Sequence, residues 1–187
     1  METLVIGGSG SGKSEYAELV ACREAGKRYY IAAMEPYDEE MFLRIRRHRS
    51  MRSERGFTTV ERYRDLAGLT LKDAGTALIE CMSNLLANEL YGSAAGTERS
   101  EDEIITGILA GTEHIKKQCR SLVIVSNDIF SSGERYEEET RRYMRLLGQI
   151  NQSLAARADC VVQVAYGTPV IWKAVPGHDK GDKEQEG

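Results

Sequence analysis

The sequence has no uninterrupted apolar run near the roughly 20 residues that a helix needs to cross a bilayer, so no membrane span is expected. Its first eight residues lack the charged and apolar regions of a secretory leader. Its four cysteines, Cys22, Cys81, Cys119 and Cys160, stand far apart and include no C-x-x-C pair. That spacing argues against a disulfide framework or a zinc site and suits the reduced thiols of a cytoplasmic protein. There is no excess of positive charge either. Lys plus Arg number 25 against 29 for Asp plus Glu, a net charge of −4, so neither a nucleic-acid coat nor a basic membrane-surface protein is expected. No internal repeat and no Pro/Gly/Ser-rich linker divides the chain. At about 150 residues per domain, 187 residues predict one domain. It spans residues 1–175. From Pro176 onward the chain is charged and lacks any large apolar residue, which predicts a disordered polar tail over 176–187.

What is present is an alternation of short apolar segments with helical ones, the pattern of a layered α/β sheet. Strands are predicted at 4–6, 29–33, 77–81, 122–126, 160–165 and 170–174. Helices are predicted at 14–25, 38–52, 83–90, 102–119 and 137–157. Gly26 is expected to close the first helix, and Pro36 precedes the second. Residues 92–100 are small and polar and read as a flexible surface loop. Gly167-Thr168-Pro169 reads as the turn between the last two strands.

One motif carries chemistry directly. Gly7-Gly8-Ser9-Gly10-Ser11-Gly12-Lys13-Ser14 matches G-x-x-x-x-G-K-[ST] at every fixed position, with a strand before it and a helix after it. The glycines let successive backbone N–H groups turn inward around phosphate oxygens, and the helix N-terminus adds positive potential. Lys13 reaches the β- and γ-phosphates in such a loop, and Ser14 binds Mg²⁺. The motif announces a nucleoside triphosphate and no more.

The magnesium also calls for a carboxylate at the end of another strand. Glu80 follows Ala77-Leu78-Ile79 and is the leading candidate, because an acid in a buried apolar strand is costly without a partner. Asp128, after 122–126, is the second candidate. For either residue the alternative is a turn or helix-capping carboxylate.

A second informative stretch is Arg44-Ile45-Arg46-Arg47-His48-Arg49-Ser50-Met51-Arg52. With Arg55 it puts six arginines within twelve residues of an acidic chain. On a helix Arg44, His48 and Arg52 share one face. Flanking guanidiniums disfavour the imidazolium, leaving His48 neutral and nucleophilic beside groups that bind phosphate. The alternative is a solvated basic helix with an incidental histidine. His114 and His178 have weaker claims.

Together these motifs resemble the bifunctional adenosylcobinamide kinase/adenosylcobinamide-phosphate guanylyltransferase family of cobalamin biosynthesis, over about residues 4–173. The likeness includes the form of the phosphate loop, Tyr30-Ile31-Ala32 and Asp38-Glu39-Glu40-Met41. Its most specific part is Arg44-Ile45-x-x-His48-Arg49-x-x-Arg52. It continues in Thr59-x-Glu61, Glu80-Cys81-Met82-Ser83 with Asn88, and Ser126-Asn127-Asp128. Gly148-Gln149-Ile150-Asn151-Gln152, Leu154-Ala155, Ala158-Asp159, Gly167-Thr168-Pro169 and Lys173 complete it.

The resemblance implies a three-layer P-loop (RecA-like) fold, a mostly parallel sheet flanked by helices. It implies ATP or GTP as phosphoryl donor, GTP as source of GMP, and Mg²⁺. The implied substrates are adenosylcobinamide and adenosylcobinamide phosphate, and the implied assembly is a homotrimer. By position His48 is the guanylylated histidine. Ala33, Met34, Glu35, Met51, Arg52, Ser53, Glu54, Glu61 and Glu80 fall where the family contacts the guanine nucleotide.

The chain departs from the family's pattern at three places. Gly10 stands where the family usually has Arg, and Ser53 where it usually has Pro. In place of a Gly-x-Gly-Ile-Val-Pro stretch after Asn-Glu, this chain has residues 127–135, Asn-Asp-Ile-Phe-Ser-Ser-Gly-Glu-Arg. That change bears on corrinoid contacts or the kinase step. The residues leave two rival readings open. One is a P-loop small-molecule kinase in which His48 and its arginines clamp phosphate without guanylyl transfer. The other is a nucleotide-binding regulatory switch, against which stands the absence of an Asn-Lys-x-Asp guanine motif.

Overall fold

The computed structural model describes residues 1–36, 55–92, 99–129 and 136–174. In chain order they form β1 (Glu2–Gly7), α1 (Lys13–Cys22), β2 (Lys27–Ala32), β3 (Phe57–Glu61), a short 3-10 turn (Leu66–Gly68) and β4 (Ala74–Glu80). Then come α2 (Met82–Tyr91), α3 (Glu101–Lys117), β5 (Cys119–Asn127), α4 (Glu138–Arg157), β6 (Cys160–Ala165) and β7 (Thr168–Lys173).

The seven strands make one sheet in the order β3-β2-β4-β5-β1-β6-β7. All neighbours are parallel except β6 and β7, which pair antiparallel. The central strands are apolar at successive positions because both faces of the sheet are covered. Val5, Leu78, Val123 and Val125 face α1, with Ala17, Val20 and Ala21 packed on them. Leu4, Ile79, Leu122 and Ile124 face the other way, onto Leu85, Leu86, Ile115, Leu146, Leu147 and Ile150 of α2, α3 and α4. Alternate residues of one strand therefore feed two cores. This is the three-layer, mostly parallel P-loop architecture that the family resemblance implies. One strand, β5, separates the phosphate-loop strand β1 from the acid-bearing strand β4, which is the RecA-like order.

Several boundaries differ from those read in the sequence. α1 ends at Cys22, three residues short of the expected 14–25: the Arg23 N–H bonds back to Val20 O and tightens the last turn. Gly26, with φ of 108°, turns the chain into β2 and does not cap α1. β3 was absent from the prediction. Only Phe57 of its five residues is buried and it pairs only with β2 at the sheet edge, so Phe57-Thr58-Thr59-Val60-Glu61 carries too few apolar residues to read as a strand. The strand expected at 77–81 starts at Ala74 and stops at Glu80, before Cys81. The helix expected at 102–119 is 101–117, and Cys119 opens β5. A capping box starts that helix: Ser100 Oγ accepts from Glu103 N–H, and Glu103 Oε2 accepts from Ser100 N–H.

The β6–β7 turn is Tyr166-Gly167, with φ of 52° and 78°, one step earlier than Gly167-Thr168-Pro169. Two left-handed residues make the tight hairpin turn whose twist matches its strands. Pro169 sits inside β7, tolerated because that strand is at the edge. The helix expected at 38–52, most of the loop at 92–100 and the tail at 176–187 lie outside the described residues.

Candidate functional site

Strand register assembles the site. Gly7 pairs with Asn127, while Ala32 pairs with both Glu61 and Glu80, so the strands end level along one edge of the sheet. Ligands of open α/β sheets bind at that carboxyl edge.

The phosphate loop leaves β1 there. Gly7 is required by close approach: a Cβ would stand 2.4 Å from Ser11 Oγ and 2.6 Å from Val164 O. Gly12 is required by conformation, its φ of 88° being left-handed, just before α1 begins at Lys13. Inside the loop Ser11 N–H bonds Gly8 O at 3.3 Å, and Lys13 Nζ reaches back to Gly8 O at 3.0 Å. The β6–β7 turn braces it from outside, with Gly167 N–H donating to Ser11 O at 2.9 Å. The Lys13 ammonium is thereby folded over the concave face of the loop, where phosphate oxygens belong.

Ser14, in the first turn of α1, donates from Oγ to Glu80 Oε1. The other carboxylate oxygen, Glu80 Oε2, is buried with no partner, and so is Ser11 Oγ. Buried polar atoms left without partners are costly. A hydroxyl, a carboxylate oxygen and room for phosphate and water oxygens are the hard ligands that Mg²⁺ takes. Ser14 and Glu80 therefore fit the ion as expected. Asp128 does not join them: its Oδ2 accepts from Gln163 Nε2 at 3.1 Å, and it lines a different cavity. Among the described residues no group of three His, Cys, Asp or Glu side chains could enclose a metal by itself.

A cavity of about 420 Å³ opens over these residues, within the size range of small-ligand sites. Lys13, Ser14 and Glu80 form its phosphate end, with Ser9 from the loop. Tyr30, Ala32, Met34, Glu61 and Tyr63 line it from β2, β3 and the segments that follow them, with Glu18 of α1. Met34 is 41% exposed, an apolar side chain held at the mouth.

Several predicted nucleotide contacts meet here. Met34, Glu61 and Glu80 line the cavity directly. Ala33 is buried behind it, its N–H donating to Glu80 O and its carbonyl accepting from Asn88 Nδ2. Glu35 is turned to Arg64, 2.7 Å away. His48, Met51, Arg52, Ser53 and Glu54 lie outside the described residues. On one side of that segment a described residue lines this cavity, and on the other a described residue pairs with a lining side chain. Met34 lines it, and Arg55 bonds Glu18 at 2.7 Å.

Sequence reasoning gave no site role to Tyr63, nor to Asn88, Cys81 and Asn127, which it quoted only within the resemblance. Asn88 is 3% exposed and donates to Ala33 O at 2.7 Å and Tyr63 O at 2.9 Å, tying the segments after β2 and β3 together. Tyr63 donates to Glu61 at 3.1 Å; partial burial, together with that carboxylate, pushes its phenol up to about 12. Cys81 lines the cavity as well, and burial foremost raises its thiol pKa. Asn127 donates to Ser83 Oγ and lines the same cavity. Asn88 was quoted within the family resemblance, but no role was attached to it there.

Comparison with known proteins follows the same line. The family model described as cobinamide kinase / cobinamide phosphate guanyltransferase matches residues 3–171. The chain is 31% identical over 182 residues to the bifunctional adenosylcobalamin biosynthesis protein CobU of Escherichia coli strain K12, covering 91% of this chain and 98% of that protein. It is equally similar, 31% over 184 residues, to the protein of the same name from Salmonella typhimurium, with 91% and 98% covered. The bifunctional adenosylcobalamin biosynthesis protein CobP of Pseudomonas aeruginosa is 28% identical over 179 residues, with 94% and 99% covered.

Proposed function

We propose two successive transfers at one nucleotide site for this chain, which belongs to the cobinamide kinase / cobinamide phosphate guanyltransferase family. In the first, the aminopropanol hydroxyl oxygen of adenosylcobinamide attacks the γ-phosphorus of ATP or GTP, and the nucleoside diphosphate leaves. In the second, a ring nitrogen of His48 attacks the α-phosphorus of GTP; a P–N bond forms as the bond to pyrophosphate breaks. An oxygen of adenosylcobinamide phosphate then displaces the histidine, giving adenosylcobinamide-GDP and restoring the imidazole.

The observation that carries this reading is the pairing of Ser14 with Glu80 beneath the Lys13 loop. The loop's N–H groups and Lys13 bind and orient the triphosphate. Ser14 and Glu80 would hold Mg²⁺, which neutralises phosphate charge when bound. Ala33, Met34, Glu35 and Glu61, with Met51, Arg52, Ser53 and Glu54, form the guanine nucleotide's remaining contacts. His48 supplies the nucleophile of the second transfer, a role supported by the resemblance. A homotrimer in the cytoplasm completes the reading, supported by the resemblance.

Incubation with α-labelled GTP and Mg²⁺, followed by mass mapping of the labelled peptide, tests it. Acid-labile label on the peptide that contains His48 is expected. Turnover of adenosylcobinamide to its phosphate without any labelled protein would leave a kinase in which His48 merely clamps phosphate.

A further inference from the structure

A second cavity, about 390 Å³, opens on the opposite face of the sheet from the phosphate loop's helix, between α4 and the strands β1, β6 and β7. Its floor is Ile6 and its α4 wall is Gly148 and Gln152. Trp172 stands at its rim, 70% exposed. We propose that this cavity holds the amide-bearing edge of the corrinoid substrate, with the Trp172 indole against its flat conjugated face. The proposal rests on the cobinamide reading above.

Three observations carry it. The first is a fixed polar relay. The Trp172 Nε1–H donates to Gln163 Oε1 at 3.1 Å, and Gln163 Nε2 donates to Asp128 Oδ2 at 3.1 Å. This holds the indole edge inward, leaves its face open, and orients the Gln163 amide with one N–H and one lone pair to spare. The second is chemistry that matches. Gln152 makes no hydrogen bond among the described residues, so its amide is available. A corrin ring is an apolar, flat body rimmed with primary amides, each both donor and acceptor. Amide side chains and an indole over apolar walls recognise such a rim, whereas a phosphate or carboxylate would meet no cation here.

The third is place. Asp128 lines this cavity and Asn127, its chain neighbour, lines the nucleotide cavity. The two residues are about 3.8 Å apart along the chain. A corrinoid seated at Trp172 can extend its hydroxyl arm across that step toward the γ-phosphate. Gly148 lines the cavity from within the 20-residue helix α4 and puts no side chain into it.

The test uses the full chain and dicyanocobinamide as probe, with emission from Trp172, the only tryptophan, as the signal. Saturable quenching reports that the corrinoid binds; the variants report where. Gly148→Leu fills the cavity and is expected to raise the half-saturation and the KM for adenosylcobinamide by about tenfold or more. Gln152→Ala, an exposed change that leaves folding intact, is expected to raise both by about three- to tenfold. KM for GTP and binding of a fluorescent GTP analogue should stay within about twofold in both, because neither residue lines the nucleotide cavity. The heptamethyl ester of cobyrinic acid, which keeps the ring but has no amide N–H, should bind more weakly than dicyanocobinamide to the wild type. Gln152→Ala should narrow that gap. Wild-type corrinoid binding with unchanged affinity in both variants overturns the cavity assignment while leaving the proposed reactions standing. A wild-type chain that neither binds dicyanocobinamide nor phosphorylates adenosylcobinamide overturns both.

Discussion

Ser14 Oγ hydrogen-bonds Glu80 Oε1 across 66 positions of sequence, joining the first turn of α1 to the last residue of β4. The strand that lies between β1 and β4 makes the meeting possible, since β5 holds both in parallel register at their carboxyl ends. The second Glu80 oxygen remains buried and unpaired beside the loop. A half-satisfied buried carboxylate costs about 1–3 kcal/mol or more, a cost that a divalent cation removes.

Glu80→Gln tests that relation. Without nucleotide the variant should be as stable as the wild type or more so, because a buried charge is gone and an amide oxygen still accepts from Ser14. The rise in Tm given by Mg²⁺ with GTP should shrink, and both transfers should slow on the order of a hundredfold. Thermal unfolding with and without Mg²⁺-GTP, beside steady-state rates, measures both. An undiminished rise in Tm would remove Glu80 from the ion.

Lys13→Ala removes the only side-chain cation of the phosphate loop. The backbone of the loop is set by Gly7 and Gly12 and by the brace from Gly167, so the fold should survive. Affinity for GTP and both activities should fall by on the order of 10²-fold. Calorimetric titration with GTP and circular dichroism separate lost binding from lost structure. Near wild-type rates in either transfer would contradict the role given to the loop.

The phosphate loop was legible in the sequence because all its parts lie within eight residues, and the conformations they require are local. Glu80 was legible too, as a charge at the end of an apolar strand. The sequence assigned Ser14 and Glu80 to the same Mg²⁺, and only their direct hydrogen bond went unread, since it depends on the register of β1, β5 and β4. β3 went unread because an edge strand with one neighbour can be half polar, and Thr58, Thr59 and Glu61 make it so. Asn88 and Glu18 belong to the site only through packing. Glu18 lines the cavity, while Asn88 acts from behind it through the carbonyls of Ala33 and Tyr63.

Asn88→Ala should act on stability and on nucleotide affinity together. The buried amide satisfies the carbonyls of Ala33 and Tyr63. Its loss leaves both acceptors without that donor, at a cost of about 2–3 kcal/mol. The residues it ties carry Met34 and Glu61, so the KM for GTP should rise as well. Denaturant unfolding and initial rates measure the two effects. A stability loss with unchanged KM for GTP would confine Asn88 to packing.

Alkaline pH should expose Tyr143. Its hydroxyl donates to Ser83 O at 2.9 Å, and burial foremost pushes its phenol from about 10 up to about 12. The folded pKa is raised, so the protonated phenol's contribution is fully present below pH 10. It is lost as pH climbs from 10 through about 12, because the unfolded chain ionises first. Tyr143→Phe removes that titration. Denaturant midpoints should then fall less steeply between pH 10 and 12 than in the wild type, even though the variant starts lower for want of the hydrogen bond. An unchanged slope would mean that Tyr143 titrates normally.

His48→Asn separates the two proposed chemistries. Guanylyl transfer through a covalent intermediate needs an imidazole nitrogen as nucleophile, and an amide cannot replace it. Label transfer from α-labelled GTP to the protein should therefore be abolished, and no adenosylcobinamide-GDP should form. Phosphorylation of adenosylcobinamide depends on Lys13, Ser14 and Glu80, which stand on β4 and α1 and not on the segment that carries His48. The same variant should keep that activity within a few-fold, and adenosylcobinamide phosphate should accumulate. Arg44→Ala or Arg52→Ala should slow labelling without removing it, since each supplies charge and position but not the atom that forms the bond. Chromatography of the corrinoid products, beside autoradiography of the protein, reads all three variants at once. Wild-type labelling in His48→Asn, or label mapped to Lys13 or His114, would take the nucleophile away from His48.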